Sequence, residues 1–287
     1  MHTWQWRTWN DLPYLTCSLL EPWAHGFFTQ HYAPRLPETL TTVLDPKAQS
    51  YRVKQVHGNG VLGPSDFVAL KRATEDGMIG EAGKVSEMEF PAADGLVTEQ
   101  GDQAVWVCSA DCTPVLIGDR VTGQVAAVHA GWRGTALKIV PQAIARLQAQ
   151  GSKLKNLQIA LGPAIAGSVY QVSEQVAKEV GASIFPMASR HGAISDRASS
   201  GTDHSEILEA LGRVEDSPLL DDPEPGRVRL DVRRVNALQL EQLGIAPEQV
   251  AISPHCTFQD PDNFFSYRRS KQKKAQWSGI VSMRKAP

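Results

Sequence analysis

The chain is punctuated by short apolar, β-branched runs that stop at glycine, proline, histidine or cysteine: AVWVCSADC, QVAAVHAGW, LQIALGPAI and QVAISPHCT. Runs of this kind, bounded by turn formers, predict buried strands. Each is expected to deliver its polar residues at its carboxyl end, where open α/β sheets bind ligands. Helical spacing lies between them. GTALKIVPQAIARLQAQG sets Leu137, Val140, Ile144 and Leu147 on one face and stops at Gly151, with Pro141 expected to start or kink the helix. DVRRVNALQLEQLG predicts a helix capped by Asp231, striped by Val232, Val235 and Leu243 and closed by Gly244, and a shorter helix follows Ser173. Strands and helices mix without strict alternation, which predicts a mixed α/β (α+β) domain around a central sheet. Met187 to Arg227 has a different texture, rich in Ser, Asp, Gly, His and Pro, with one apolar cluster at Ile207, Leu208 and Leu211. It is expected to be a polar insertion, 187–227, with His191 and His204 as solvated loop residues.

A chain of 287 residues is long enough to bury a sizeable core without staples. Its net charge of -2 gives no reason to expect nucleic acid or an anionic membrane as a partner. No run reaches the roughly 18 apolar residues of a membrane span, and the first residues lack the continuous apolar core of a signal peptide. A cytoplasmic protein is expected. The four cysteines, Cys17, Cys108, Cys112 and Cys256, are spaced irregularly and read as free thiols rather than a disulfide framework.

The densest chemistry lies between Val107 and Arg133, where Cys112 and His129 each adjoin an apolar run. Asp111 stands beside the thiol, and Arg133 follows four residues after the imidazole. Two readings stay open. In the first, His57 of KQVHG joins Cys112 and His129 as two imidazoles and a thiolate around a catalytic zinc that keeps a fourth position open. In the second, Cys112 is a nucleophile and His129 its base, which requires a third group to orient the imidazole. A non-catalytic, zinc-stabilised interaction module would instead fill all four metal positions with protein. A cytidine-type zinc deaminase is disfavoured, because H-x-E followed by P-C-x-x-C does not occur. Arg133, in the turn AGWRG, suits phosphate binding. Gly162 and Pro163, after LQIAL, let backbone approach a ligand closely or simply turn the chain. Cys17, Cys108 and Cys256 are expected to pack as small hydrophobes, and the run from Arg268 to Lys274 to form a solvated face.

ADGLVT, CSADCTPVLIGD, VAAVHAGWRG, LGPAI followed by Tyr170, the late Cys256-Thr257 pair and FFSYRR together resemble the bacterial YfiH family. Its members have carried the names laccase-domain protein, polyphenol oxidase and peptidoglycan editing factor. The resemblance runs from about Lys54 to Arg269 and implies one domain over 1–287, a layered sandwich with sheets between helices. It implies zinc on His57, Cys112 and His129. It also implies phosphorolysis of purine nucleosides (adenosine, inosine and methylthioadenosine) with inorganic phosphate, and adenosine deamination as a companion activity. Under that reading Arg133, Gly162 and Tyr170 would meet the substrate and phosphate, and Asp94 and Asp111 are the candidate acids for the departing purine. The editing name suggests an alternative, a cysteine hydrolase or amidase acting on cell-wall precursors. The oxidase name fits poorly, since a multicopper site needs many imidazoles in His-x-His pairs, whereas this chain has eight histidines and no such pair. Copper on the His and Cys set would be adventitious.

Overall fold

Three of the four apolar runs become inner strands of two facing sheets, and the fourth, in QVAISPHCT, becomes an edge strand. The computed structural model describes residues 2–68, 90–185 and 203–284. Within them the strands are β1 (Trp4–Trp9), β2 (Leu12–Cys17), β3 (His25–Phe28), β4 (Gln49–Tyr51), β5 (Val61–Leu62), β6 (Gly95–Val97), β7 (Gln103–Ser109) and β8 (Thr113–Asp119). They continue as β9 (Val125–Ala130), β10 (Leu157–Leu161), β11 (Gln171–Ser173), β12 (Leu219–Asp221), β13 (Arg227–Leu230), β14 (Val250–Ile252) and β15 (Gln276–Val281). One sheet has the order β1-β2-β3-β15-β7-β4, the second β14-β10-β8-β9-β6-β5, and a small third sheet β11-β13-β12.

Strands β8 and β9 are buried along their whole length. That explains why they read as continuous apolar runs rather than alternating ones: each side chain meets protein on either face. Leu15, Trp23, Phe27, Val105, Val107, Leu116, Ala127 and Ile280 form the layer between the two large sheets. The outer face of the second sheet packs Val115, Ile117 and Val128 against Ile139, Val140, Ile144 and Leu147 of the helix Ile139–Ala149. The outer face of the first is covered by the helix Pro37–Leu44, whose Leu40 meets Phe28 and Trp106. The fold is thus a mixed α/β sandwich with its sheets between helices. Each fully buried Val, Leu or Ile contributes roughly 1.5–3 kcal/mol.

Asp231 caps the helix Val232–Gln242 by accepting from the Arg233 and Arg234 amides, and Ser173 caps Glu174–Gly181 through Val176 N–H. Two details of the helical reading are corrected. Leu137 is 51% exposed and Leu243 36% exposed, so neither belongs to its buried stripe. The cause at Leu137 is a break: Trp132–Ala136 is a separate short helix, Lys138 turns left-handed at φ 59°, and the long helix begins only at Ile139. Pro141 therefore sits in the first turn, where its missing N–H costs nothing.

Of the polar stretch 187–227, residues 187–202, His191 among them, lie outside the described residues. The remainder forms the helix Asp203–Gly212 and strand β12. Ile207 and Leu211 are buried with Val180, Leu230 and Val235 in a core of their own. Among the described residues no helix is long and apolar enough to cross a membrane.

Candidate metal centre

Strand register assembles the site at one end of the second sheet. In the antiparallel pair β8–β9, Thr113 lies opposite Ala130, so Cys112 falls beside Gly131. In the pair β6–β9, Gly95 lies opposite Val128, which brings Asp94 to His129, and the His129 N–H donates to the Asp94 carbonyl at 2.7 Å. The parallel pair β5–β6 then carries the loop Val56–Gly60 past Asp94. The sequence expectation of ligands at strand carboxyl ends holds for His129, near the end of β9, and for Cys112, three residues past the end of β7, whereas His57 precedes β5. Because this sheet mixes directions, the site gathers the end of β9 together with the starts of β5, β6 and β8.

His57, Cys112 and His129 offer ligand atoms that all lie within 4.8 Å of one another. No other such group of three or more occurs among the described residues. The two imidazoles meet edge to face, with ring centroids 4.9 Å apart. Gly131 is required at its position because a Cβ there would stand 2.8 Å from the Cys112 sulfur. His129 is buried, Cys112 half-buried and His57 exposed, which leaves the cluster one open side.

Asp94 is fully buried and fully occupied. Its Oδ1 accepts from His129 Nδ1 and from the His57 N–H, each at 2.9 Å, and its Oδ2 accepts from the Val56 and Gly58 amides at 3.1 and 2.7 Å. One carboxylate thus orients one imidazole through its ring and the other through its backbone, which is held left-handed at φ 61°. Engaging Nδ1 leaves Nε2 of His129 for a ligand, the arrangement that carboxylate–histidine pairs give metal sites. Burial alone would raise the Asp94 pKa, but the bonds from His129, Gly58 and Val56 outweigh it and hold the group ionised. Burial likewise pushes the Cys112 thiol up, and the two imidazoles overcome it and favour the thiolate. His129 is raised in turn, by the Cys112 charge and by Asp94 against its own burial. A ready thiolate and two imidazoles form a donor set that zinc or copper accepts.

Asp111 holds a left-handed backbone at φ 94°. Its carboxylate accepts from Thr257 Oγ1 at 2.8 Å and from the Arg268 N–H at 2.6 Å, tying the Cys112 turn to the last helix, Tyr267–Ser270. The run from Arg268 to Lys274 is therefore not one solvated face. Arg269 donates to the Thr257, Phe258 and Phe264 carbonyls, and Arg268 donates to the Gln171 carbonyl and lies over the Tyr170 ring, 4.8 Å from its centroid. Residues 271 to 274 are the exposed remainder. Arg268 was missed in the sequence because it sits in a basic run. The signal was its place in FFSYRR, after aromatic residues that bury the segment.

Arg133 is exposed and packs over Trp132, 4.4 Å from the ring centroid. Tyr170 feels the charges of both arginines and of the Cys112 thiolate. Its hydroxyl is pushed up to about 12, by burial first and by the negative charges of Cys112 and Asp111, against the pull of Arg268 and Arg133. Gly162 stands apart from this group: its N–H donates to the Pro114 carbonyl, and a Cβ there would meet the Phe27 ring at 2.2 Å, so packing demands the glycine. Cys17, Cys108 and Cys256 are free thiols, and Cys256 accepts from the Ala166 amide at 3.2 Å. His255 packs against Trp6 and Phe264.

A sandwich of two sheets between helices, carrying a His/Cys/His cluster with a buried carboxylate behind it, defines a class of layered domain with a three-donor centre. The chain belongs to the YfiH family, and residues 37–284 match the family model described as multi-copper polyphenol oxidoreductase laccase. It is 50% identical to purine nucleoside phosphorylase slr1573 of Synechocystis, over 97% of each chain. It is 27% identical to adenosine deaminase RL5 of an unknown prokaryotic organism, over 64% of this chain and 59% of RL5. Its fold matches the crystal structure of the Bacillus licheniformis hypothetical protein YfiH at a TM-score of 0.69 and 20% identity, covering 97% of this chain and 99% of that one.

Proposed function

We propose that this chain is a purine nucleoside phosphorylase acting on adenosine, inosine and methylthioadenosine, with adenosine deamination as a companion activity at the same centre. The observation that carries this reading is the His57, Cys112 and His129 cluster, whose ligand atoms lie within 4.8 Å of one another, with Arg268 over Tyr170 and tied through its N–H to Asp111 beside the thiol. The likeness to slr1573 over nearly the whole chain supports the reaction class. His57, Cys112 and His129 would hold zinc, which when bound supplies Lewis acidity next to the reacting groups.

The chain's own residues set the rest. A phosphate oxygen attacks the anomeric carbon, the bond from that carbon to the purine nitrogen breaks, and the base leaves with the electron pair and takes up a proton. The products are free purine and ribose 1-phosphate, or 5-methylthioribose 1-phosphate from methylthioadenosine. Arg133 and Arg268 hold the phosphate by charge-assisted bonds, and Asp111 fixes Arg268 through its backbone. Neither candidate acid is free for proton transfer. Asp94 is buried and ionised behind His129, and both oxygens of Asp111 accept bonds. Both are assigned positioning roles. Tyr170 keeps its proton and is assigned the role of donor to the departing purine. Free thiols throughout the described residues fit a reducing, cytoplasmic location.

A second reading has its own observation. Cys112, His129 and Asp94 also stand in the order of a nucleophile, base and orienting carboxylate, as a thiol hydrolase would need. Arg133→Ala separates phosphorolysis from other chemistry. It removes a charged contact worth about 1.5–3 kcal/mol, so phosphorolysis should fall roughly ten- to a hundredfold while ammonia release from adenosine changes less. Chromatography of bases and an ammonia assay read the two branches. Equal loss in both would show that Arg133 serves the fold or the nucleoside rather than phosphate.

A further inference from the structure

Gln55 ties the His57 loop to the strand that leads into Cys112. Strand β4 pairs with β7 only from Gln49↔Gln103 to Tyr51↔Val105. The chain then leaves the first sheet and crosses to the second, where Lys54 bridges Ala92, the Lys54 N–H donates to the Pro91 carbonyl and the Ala93 N–H donates to the Lys54 carbonyl. That departure leaves the β7 edge at Cys108 without a neighbouring strand among the described residues, and the Gln55 side chain takes the strand's place. Gln55 Nε2 donates to the Cys108 carbonyl and the Cys108 N–H donates to Gln55 Oε1, both at 2.7 Å. A primary amide is suited to this, since it carries a donor and an acceptor side by side, as a backbone peptide does.

Gln55 lies two residues before His57, and Cys108 four residues before Cys112. Asp94 couples His57 to His129, and Asp111 couples the Cys112 turn to Thr257 and Arg268. Beyond the direct contact of the His57 ring with the Cys112 sulfur, the Gln55 amide joins the loop of His57 to the segment of Cys112. We infer that Gln55 is a positioning residue for the centre, setting the separation of His57 from Cys112 and through it the affinity and ligand field of the bound metal. This rests on the metal reading above. Supporting contacts of this kind typically govern metal affinity by ten- to a hundredfold, because a site built on separate segments fails when either shifts by a fraction of an ångström.

The test uses the full chain with zinc and with cobalt(II) as probes. Gln55→Met keeps the length and loses both bonds; Gln55→Asn keeps the amide and falls one methylene short. Both variants should bind zinc about ten- to a hundredfold more weakly in competition with a chromogenic chelator. Their cobalt forms should show a shifted thiolate charge-transfer band, while circular dichroism of the metal-free proteins stays that of the wild type. If Gln55→Met does not fold, Gln55→Asn carries the test. Wild-type zinc affinity and an unchanged cobalt spectrum in either folded variant would overturn the inference. A wild-type chain that takes up neither metal would overturn the metal reading itself.

Discussion

Replacing Asp94 with alanine should destabilise the protein by about 3–5 kcal/mol, the usual cost of removing one partner of a buried ion pair. The site explains the size of the effect. Four donors converge on this carboxylate: the His129 ring and the amides of Val56, His57 and Gly58. Alanine would leave the buried His129 ring without an acceptor, remove the anchor of the three loop amides and free the left-handed backbone at His57. Urea unfolding in the presence of a chelator, which removes any contribution from metal, gives the number; a loss under about 1 kcal/mol would mean that water replaces the carboxylate readily. The sign of the pH dependence follows from the direction of the shift. Asp94 has a lowered pKa in the folded state, so its contribution is complete above the unfolded value of about 3.9 and fades as pH falls below it. Asp94→Asn should flatten that part of the acid limb of the stability curve.

Cys112→Ala should remove metal and turnover together. About one zinc per chain is expected in the wild type from a single three-donor site. With the thiolate gone, two imidazoles remain, and retention of metal through gel filtration should drop to near zero. Cys108→Ser is the control. That thiol is pushed up to about 11, mainly by burial and further by the Cys112 charge, so it stays protonated and its replacement should leave metal content unchanged. Elemental analysis reads both variants. If Cys112→Ala kept its zinc and lost only turnover, the thiol would be a nucleophile with His129 as its base and Asp94 as the orienting group.

The sequence exposed the parts of this protein that local chemistry controls. Strands β7, β9 and β10 were legible because both of their faces are buried, and the caps at Ser173 and Asp231 because their side chains act within one turn. Pro141 marked the start of the helix that begins at Ile139, but nothing in TALKIVP marked the left-handed residue at Lys138. Cys112, His129 and His57 could be named from residue types and resemblance. Their supports were harder to name, because they depend on register between distant segments. Asp94 reads as an acid in sequence and becomes a buried anchor only once Gly95 is known to face Val128. Gln55 and Arg268 were hidden for the same reason: their partners, Cys108 and Asp111, lie 53 and 157 residues away.

The most direct test of the central claim is to follow inosine with the wild-type protein across a phosphate series, separating hypoxanthine, ribose and ribose 1-phosphate by chromatography. This account predicts that base release rises with phosphate to saturation, that ribose 1-phosphate appears in equal amount, and that neither forms when phosphate is withheld. Hypoxanthine released at the same rate without phosphate, accompanied by free ribose, would make water the nucleophile and contradict the assignment of phosphorolysis.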